Sequence, residues 1–109
     1  MKRRKILVTG GGGFLGGAVV KQLVSKGETV RSFSRGFYAE LKKMGVEQIQ
    51  GDLSDLNAVM AACRDVEAVF HIAARPGVWG TYASFYEPNV LGTENIIHAC
   101  KNCGVRRLI

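Results

Sequence analysis

At 109 residues the chain has room for one domain, which at this size withdraws roughly two thirds of its extended-chain surface from water and builds one modest core. Apolar residues make up 47% and charged residues 22%, an ordinary balance for a globular protein, and no apolar run approaches the roughly 20 residues that span a bilayer. The net charge of +6 permits a nucleic-acid partner, but beyond Lys2-Arg3-Arg4-Lys5 the basic residues are scattered, so that cluster reads as a solvated terminus and no nucleic acid is expected.

In chain order, Ile6-Leu7-Val8-Thr9 is an apolar, β-prone run that stops at Gly10-Gly11-Gly12-Gly13. It is too short and too soon interrupted to be a secretory h-region, so a cytoplasmic protein is expected. Phe14, Leu15, Ala18, Val19 and Leu23 then recur at helical spacing, and Gly27 stops that helix after Lys26. Thr29 to Ser34 alternates as a second strand. A short helix near Tyr38 to Met44 ends at Gly45, and Val46 to Gln50 is the third strand. Asp52-Leu53-Ser54 leads into a helix whose expected cap is Ser54, with Leu56, Val59, Met60 and Cys63 on one face. Glu67 to Ile72 is the fourth strand. Ser84-Phe85-Tyr86-Glu87 fits a capping box opening a long helix that Gly104 closes, with Pro88 tolerated in its first turn. Arg106 to Ile109 enters a fifth strand, and the sequence is expected to stop within it and leave a sheet edge open.

This strand–helix alternation requires a parallel sheet with helices on both faces. The fold class is therefore α/β, a doubly wound parallel sheet (Rossmann fold), incomplete at about five strands, as one domain over residues 1–109.

The glycine stretch between the first strand and first helix reads as a phosphate cradle. Gly10 ends the strand in a turn that tolerates positive φ, Gly13 lets backbone approach a pyrophosphate, and Gly16 lets the helix press in without an intervening Cβ. The N–H groups at the helix start, Phe14 and Leu15, then face two phosphates together with the positive end of the helix dipole. Gly11, Gly13 and Gly16 also satisfy the spacing, and Thr9 at the strand end favours the set beginning at Gly10. No Lys-Ser or Lys-Thr follows, so the loop is not of the Walker type.

The second strand ends at Ser34-Arg35, where an NAD-binding fold of this class carries an acidic residue. No Asp or Glu stands between Glu28 and Glu40. Arg35 can pair with a 2′-phosphate and Ser34 can donate to it, which favours NADP(H) over NAD(H), the alternative being Arg35 as an ordinary surface charge. The three cysteines read as free thiols. Cys100-x-x-Cys103 lies at a helix C-terminus that disfavours thiolate, and with His98 it still lacks a fourth ligand, so no metal site is expected.

Four segments together resemble the extended short-chain dehydrogenase/reductases, in particular their 3-beta-hydroxysteroid dehydrogenase/isomerase-like branch. They are Thr9-Gly10-x-x-Gly13-Phe14-Leu15-Gly16, Gly51-Asp52-Leu53, Ala68-Val69-Phe70-His71-Ile72-Ala73-Ala74, and Asn89-Val90-Leu91-Gly92-Thr93-Glu94-Asn95. Within the branch, His71 to Gly80 is most similar to bacterial reductases of 2-alkyl-3-oxoalkanoates. The resemblance implies that Asp52 accepts from the adenine amino group, Leu53 packs on the ring, and Ala73 and Ala74 let the chain pass close to the cofactor. It implies hydride transfer between a nicotinamide and a carbonyl or hydroxyl carbon. The Tyr, Lys and Ser that serve this chemistry lie, in the family, beyond the fifth strand. Asn89 matches the family's Asn that supports a proton-relay water and is the one catalytic-group candidate here. Tyr38-x-x-x-Lys42 has the right spacing but falls on the adenosine side, so it is not expected to be catalytic. His71 reads as a satisfied strand-end residue, and Trp79 and Tyr82 as pocket-lining or loop-packing residues. The expected partner is a small-molecule substrate held by a further C-terminal portion, with a homo-oligomer left open. A non-catalytic NADP-binding module and the cofactor half of a nucleotide-sugar epimerase or dehydratase are the alternatives.

Overall fold

Residues whose side chains alternate between two apolar layers make the centre of the structure. A computed structural model describes residues 5–72 and 91–109. In it β1 (Lys5–Thr9) pairs in parallel with β2 (Val30–Ser34) on one side and β4 (Val66–His71) on the other. Outside these lie β3 (Glu47–Gln50) and the short β5 (Arg107–Leu108), giving five parallel strands in the order β3-β2-β1-β4-β5. Backbone pairing with β4 runs slightly beyond β5, because Ile109 N–H donates to Val69 O at 2.8 Å and His71 N–H to Ile109 O at 2.9 Å. The sequence expectation of a doubly wound parallel sheet is met.

Two layers cover the sheet. On one face Leu7, Phe33 and Val69 pack with Val59, Ala62 and Cys63, from and just after α3 (Leu56–Ala62), and with Ile96, Ala99 and Cys100 of α4 (Gly92–Cys103). On the other, Val8 and Val30 pack with Val20 of α1 (Phe14–Ser25) and Leu41 of α2 (Ala39–Lys43). Leu7 and Val8 are consecutive and fully buried, so one strand feeds both cores. Gly27, Gly45 and Gly104 follow α1, α2 and α4 at φ values of 82°, 77° and 71°, the left-handed exits their spacing predicts. Among the described residues no helix is long and apolar enough to cross a membrane.

The cap of α3 differs from expectation by one residue. Asp55 is the N-cap, its Oδ1 accepting from Ala58 N–H at 3.3 Å. Ser54 is occupied elsewhere, donating through both its N–H (2.9 Å) and its hydroxyl (2.8 Å) to Asp52 Oδ1. Two adjacent capping residues competed, and the carboxylate upstream decided between them. Of the face predicted for α3, Val59 and Cys63 are buried while Met60 is only partly so. The capping box at 84–87, Pro88, Trp79, Tyr82, Ala73, Ala74 and Asn89 lie outside the described residues, as does the basic start through Arg4.

A buried arginine holds β2 to the layer beneath it. Arg31 is 7% exposed and donates to Glu47 Oε1 (2.9 Å) and, from Nη1, to the carbonyls of Ala62 (2.7 Å) and Arg64 (2.8 Å). It thus closes the carbonyl end of α3. Glu47 also accepts from Lys5 Nζ at 2.6 Å. Burial pushes the Glu47 carboxyl up, but the hydrogen bonds and charges of Lys5 and Arg31 outweigh it and leave the group below its usual value. Arg31→Met is expected to cost about 2–4 kcal/mol of stability, since it leaves two carbonyls without a donor. Lys5→Met, which removes only a partly exposed pair, is expected to cost about 1 kcal/mol or less. Urea unfolding of the two variants checks the ordering, and equal losses would refute it.

Candidate functional site

The C-terminal ends of all the parallel strands lie along one edge, where chain turning from strand to helix gathers the residues of interest. At the top of β1 the fully buried Thr9 is followed by Gly10 at φ 74°, whose N–H donates to Phe33 O at 3.1 Å. Gly13 N–H returns to Gly10 O at 3.0 Å and closes the turn. A Cβ at Gly16 would run into the backbone carbonyl of Gly10, so α1 is seated directly on the turn. Between the two glycine sets the spacing allows, Gly10 is the one with positive φ, because the chain reverses there and not at Gly11.

The first turn of α1 has no side-chain cap, and the N–H groups of Phe14, Leu15 and Gly16 meet no acceptor among the described residues. The Phe14 and Leu15 side chains point outward, 98% and 62% exposed, so it is their backbone that faces the turn. A Cβ on Gly13 would meet only Gly10 O, at 3.5 Å. Protein packing therefore does not demand glycine at Gly13, whereas close approach of an outside group would. Open N–H donors, a positive helix end and bare backbone fit a dinucleotide pyrophosphate.

Beside the turn, the ends of β2 and β3 come together. Gly51 N–H donates to Ser34 O at 2.9 Å, and Arg35 Nη2 stands 3.4 Å from Asp52 Oδ2. The Arg35 side chain is 76% exposed, so most of its five donors remain free. Ser34 Oγ donates to Gly36 O at 3.1 Å. The Asp52 carboxyl is held below its usual value first by the Ser54 N–H, then by the Ser54 hydroxyl and, against some burial, by the Arg35 charge. It is an acceptor at neutral pH. Leu53 is buried, and its carbonyl accepts from Asn95 Nδ2 at 2.8 Å, which ties this corner to α4.

On the other side of the turn the strand order reverses between β1 and β4, the switch point at which such sheets bind ligands. Thr9 and His71 are register neighbours there. His71 Nδ1 lies 2.9 Å from Thr9 Oγ1 and Nε2 3.1 Å from Thr93 Oγ1, so a neutral ring has a partner for each nitrogen. Burial holds the His71 pKa below its ordinary 6.5. It is the satisfied strand-end histidine expected from its position.

Several site-side residues escape sequence reasoning. A Cβ on Gly12 would overlap the Tyr38 ring, so Tyr38 covers the glycine turn rather than standing apart with Lys42. Gln48 and Gln50 of β3 bracket the loop before α2: Gln48 accepts from Tyr38 N–H (2.9 Å) and donates to Tyr38 O (3.1 Å), and Gln50 donates to Arg35 O (2.7 Å). Their spacing of two on one strand face is the signal that could have flagged them. Cys63, Cys100 and Cys103 are free; burial first, then the neighbouring sulfurs, push the Cys63 thiol up to about 12. Among the described residues no cluster of His, Cys, Asp or Glu is arranged to hold a metal ion.

Gly16→Ala is expected to cost about 1–3 kcal/mol, as overpacking against rigid backbone does, and to abolish dinucleotide binding, checked by thermal unfolding and cofactor titration. For His71, a depressed pKa means that the unfolded chain binds the proton first. Its contribution is complete above pH about 6.5 and declines as pH falls toward the folded value. The urea midpoint should fall between pH 7 and 5.5, scanned at about half-unit steps, and His71→Gln should flatten that slope.

The chain is 53% identical over 105 residues to the 2-alkyl-3-oxoalkanoate reductase of Stenotrophomonas maltophilia, covering 96% of this chain and 32% of that protein. It is 35% identical over 112 residues to a 3 beta-hydroxysteroid dehydrogenase/Delta 5-->4-isomerase of Mycobacterium tuberculosis, covering 96% and 30%. Among solved structures it superposes on the UDP-glucose 4-epimerase of Thermus thermophilus in complex with NAD at a TM-score of 0.86 and 33% identity, over 95% of this chain and 36% of that one. The chain thus spans about a third of the length of the curated relatives it matches. The family model for 3-beta hydroxysteroid dehydrogenase/isomerase matches residues 7–109, and the chain belongs to that family.

Proposed function

We propose that this chain is the NADP(H)-binding portion of an oxidoreductase acting on a small-molecule carbonyl or alcohol. One observation carries the cofactor reading: a largely exposed guanidinium, Arg35, stands at the end of β2, and no acidic residue follows that strand before Glu40. Asp52 does approach from β3, but its Oδ1 is committed to Ser54 and its Oδ2 is already paired with Arg35. At the end of β2 itself a ribose diol meets no carboxylate, whereas a 2′-phosphate meets a cation.

The residues divide the work by position. Gly10, Gly13 and Gly16 keep Cβ atoms away from the pyrophosphate, and the N–H groups of Phe14, Leu15 and Gly16 donate to it. Asp52 accepts from the adenine amino group and Leu53 packs on the ring. Ala73 and Ala74 pass beneath the cofactor, and Asn89 supports a relay water. When bound, the nicotinamide supplies or takes up the hydride. The proton donor and substrate pocket belong to the longer protein that the relatives exemplify. The 53% identity to a reductase favours reduction of a 2-alkyl-3-oxoalkanoate-like substrate. The likeness to an epimerase keeps a nucleotide-sugar enzyme as the second reading. A reducing cytoplasm suits the three free thiols.

The chain is expected to bind NADPH more tightly than NADH. Arg35→Asp should weaken NADPH by about tenfold or more while sparing NADH. Nicotinamide fluorescence titration reads both, and equal wild-type affinities would refute the 2′-phosphate reading.

A further inference from the structure

The glycine turn, the end of β2 and Tyr38 form one continuous surface. The Tyr38 ring packs on Gly12 through its Cδ2, Cε2 and Cζ edge. Its hydroxyl end reaches the Arg35–Gly36 corner, where a Cβ on Gly36 would lie 3.8 Å from the phenol oxygen. Phe37, the next residue back, is 65% exposed against 39% for Tyr38, whose ring lies along the turn. The two hydrogen bonds from Gln48 fix the Tyr38 backbone, and the bond from Gln50 fixes that of Arg35. Both glutamines sit on one face of β3, so the loop carrying Arg35 and Tyr38 is held at both ends before any ligand arrives.

The corner has two hydroxyls, and they differ. The Ser34 proton is directed to Gly36 O. The Tyr38 hydroxyl has no hydrogen-bond partner among the described residues. It is an uncommitted O–H donor on the loop that carries Arg35, next to Gly36. A dinucleotide with its pyrophosphate at the first turn of α1 carries its adenosine ribose from the glycine turn toward the end of β2. That path passes the phenol.

We propose that Tyr38 is a second determinant of cofactor choice, its hydroxyl donating to the 2′-phosphate that Arg35 pairs with. The inference rests on the NADP(H) reading above and adds a residue to it. Arg35 supplies charge; Tyr38 supplies a neutral, rigidly placed donor, whose hydrogen bond to an ionised phosphate oxygen is stronger than one to a ribose hydroxyl.

Isothermal titration of the full chain with 2′,5′-ADP and with 5′-AMP tests it on wild type, Tyr38→Phe and Arg35→Ala. Tyr38→Phe is expected to weaken 2′,5′-ADP by about tenfold and leave 5′-AMP within about twofold. If Arg35→Ala removes the preference for 2′,5′-ADP while Tyr38→Phe keeps it, the Tyr38 inference falls and the NADP(H) reading stands. If wild type binds both nucleotides equally, both fall. If Tyr38→Phe loses 5′-AMP as well, the ring shapes the turn as a whole, and a hydroxyl-specific role is overturned.

Discussion

The contact on which the site depends is between a missing side chain and a carbonyl: α1 rests on the turn because Gly16 places no Cβ against Gly10 O. A helix raised by the width of a methyl group would carry its first N–H groups away from the strand end they surmount. The turn is itself anchored sideways, since Gly10 N–H donates to Phe33 O on β2. The first turn of the helix, the end of β1 and the end of β2 are therefore one rigid piece. The proposed phosphate and adenosine sites share that piece.

Two arginines four residues apart show how burial decides what a charge does. Arg31, inside, has three acceptors and is spent on structure, joining β2 to β3 and to the end of α3. Arg35, outside, has a single 3.4 Å ion pair and the rest of its guanidinium faces water. An exposed pair of that length adds little stability. It does keep the guanidinium at the ends of β2 and β3, where Asp52 tempers its charge without cancelling its donors.

Strand, turn and helix were readable here because their signals are local. β-branched runs, glycines at helix ends and apolar periodicity all act within a few residues. The α3 cap falls one position later than its sequence signal because Ser54 turns back to the Asp52 carboxylate two residues upstream, a local competition among three adjacent capping residues that a cap preference alone does not resolve. Arg31 is legible only as one beat of an alternating strand; it shares a face with Phe33, and its acceptors lie 16, 31 and 33 residues away in sequence. Tyr38 drew notice through a spacing shared with catalytic pairs. Its place on Gly12 follows from a loop whose brackets, Gln48 and Gln50, come from another strand. The glycine turn and its positive φ at Gly10 are legible in the sequence, while the packing of Tyr38 on Gly12 shows only in three dimensions.

The shared central strand has a consequence for how the molecule comes apart. Leu7 and Val8 send their side chains into opposite cores from adjacent positions. Neither core can dissolve without withdrawing a wall from its counterpart, so the two layers are thermodynamically coupled and melt as one cooperative unit.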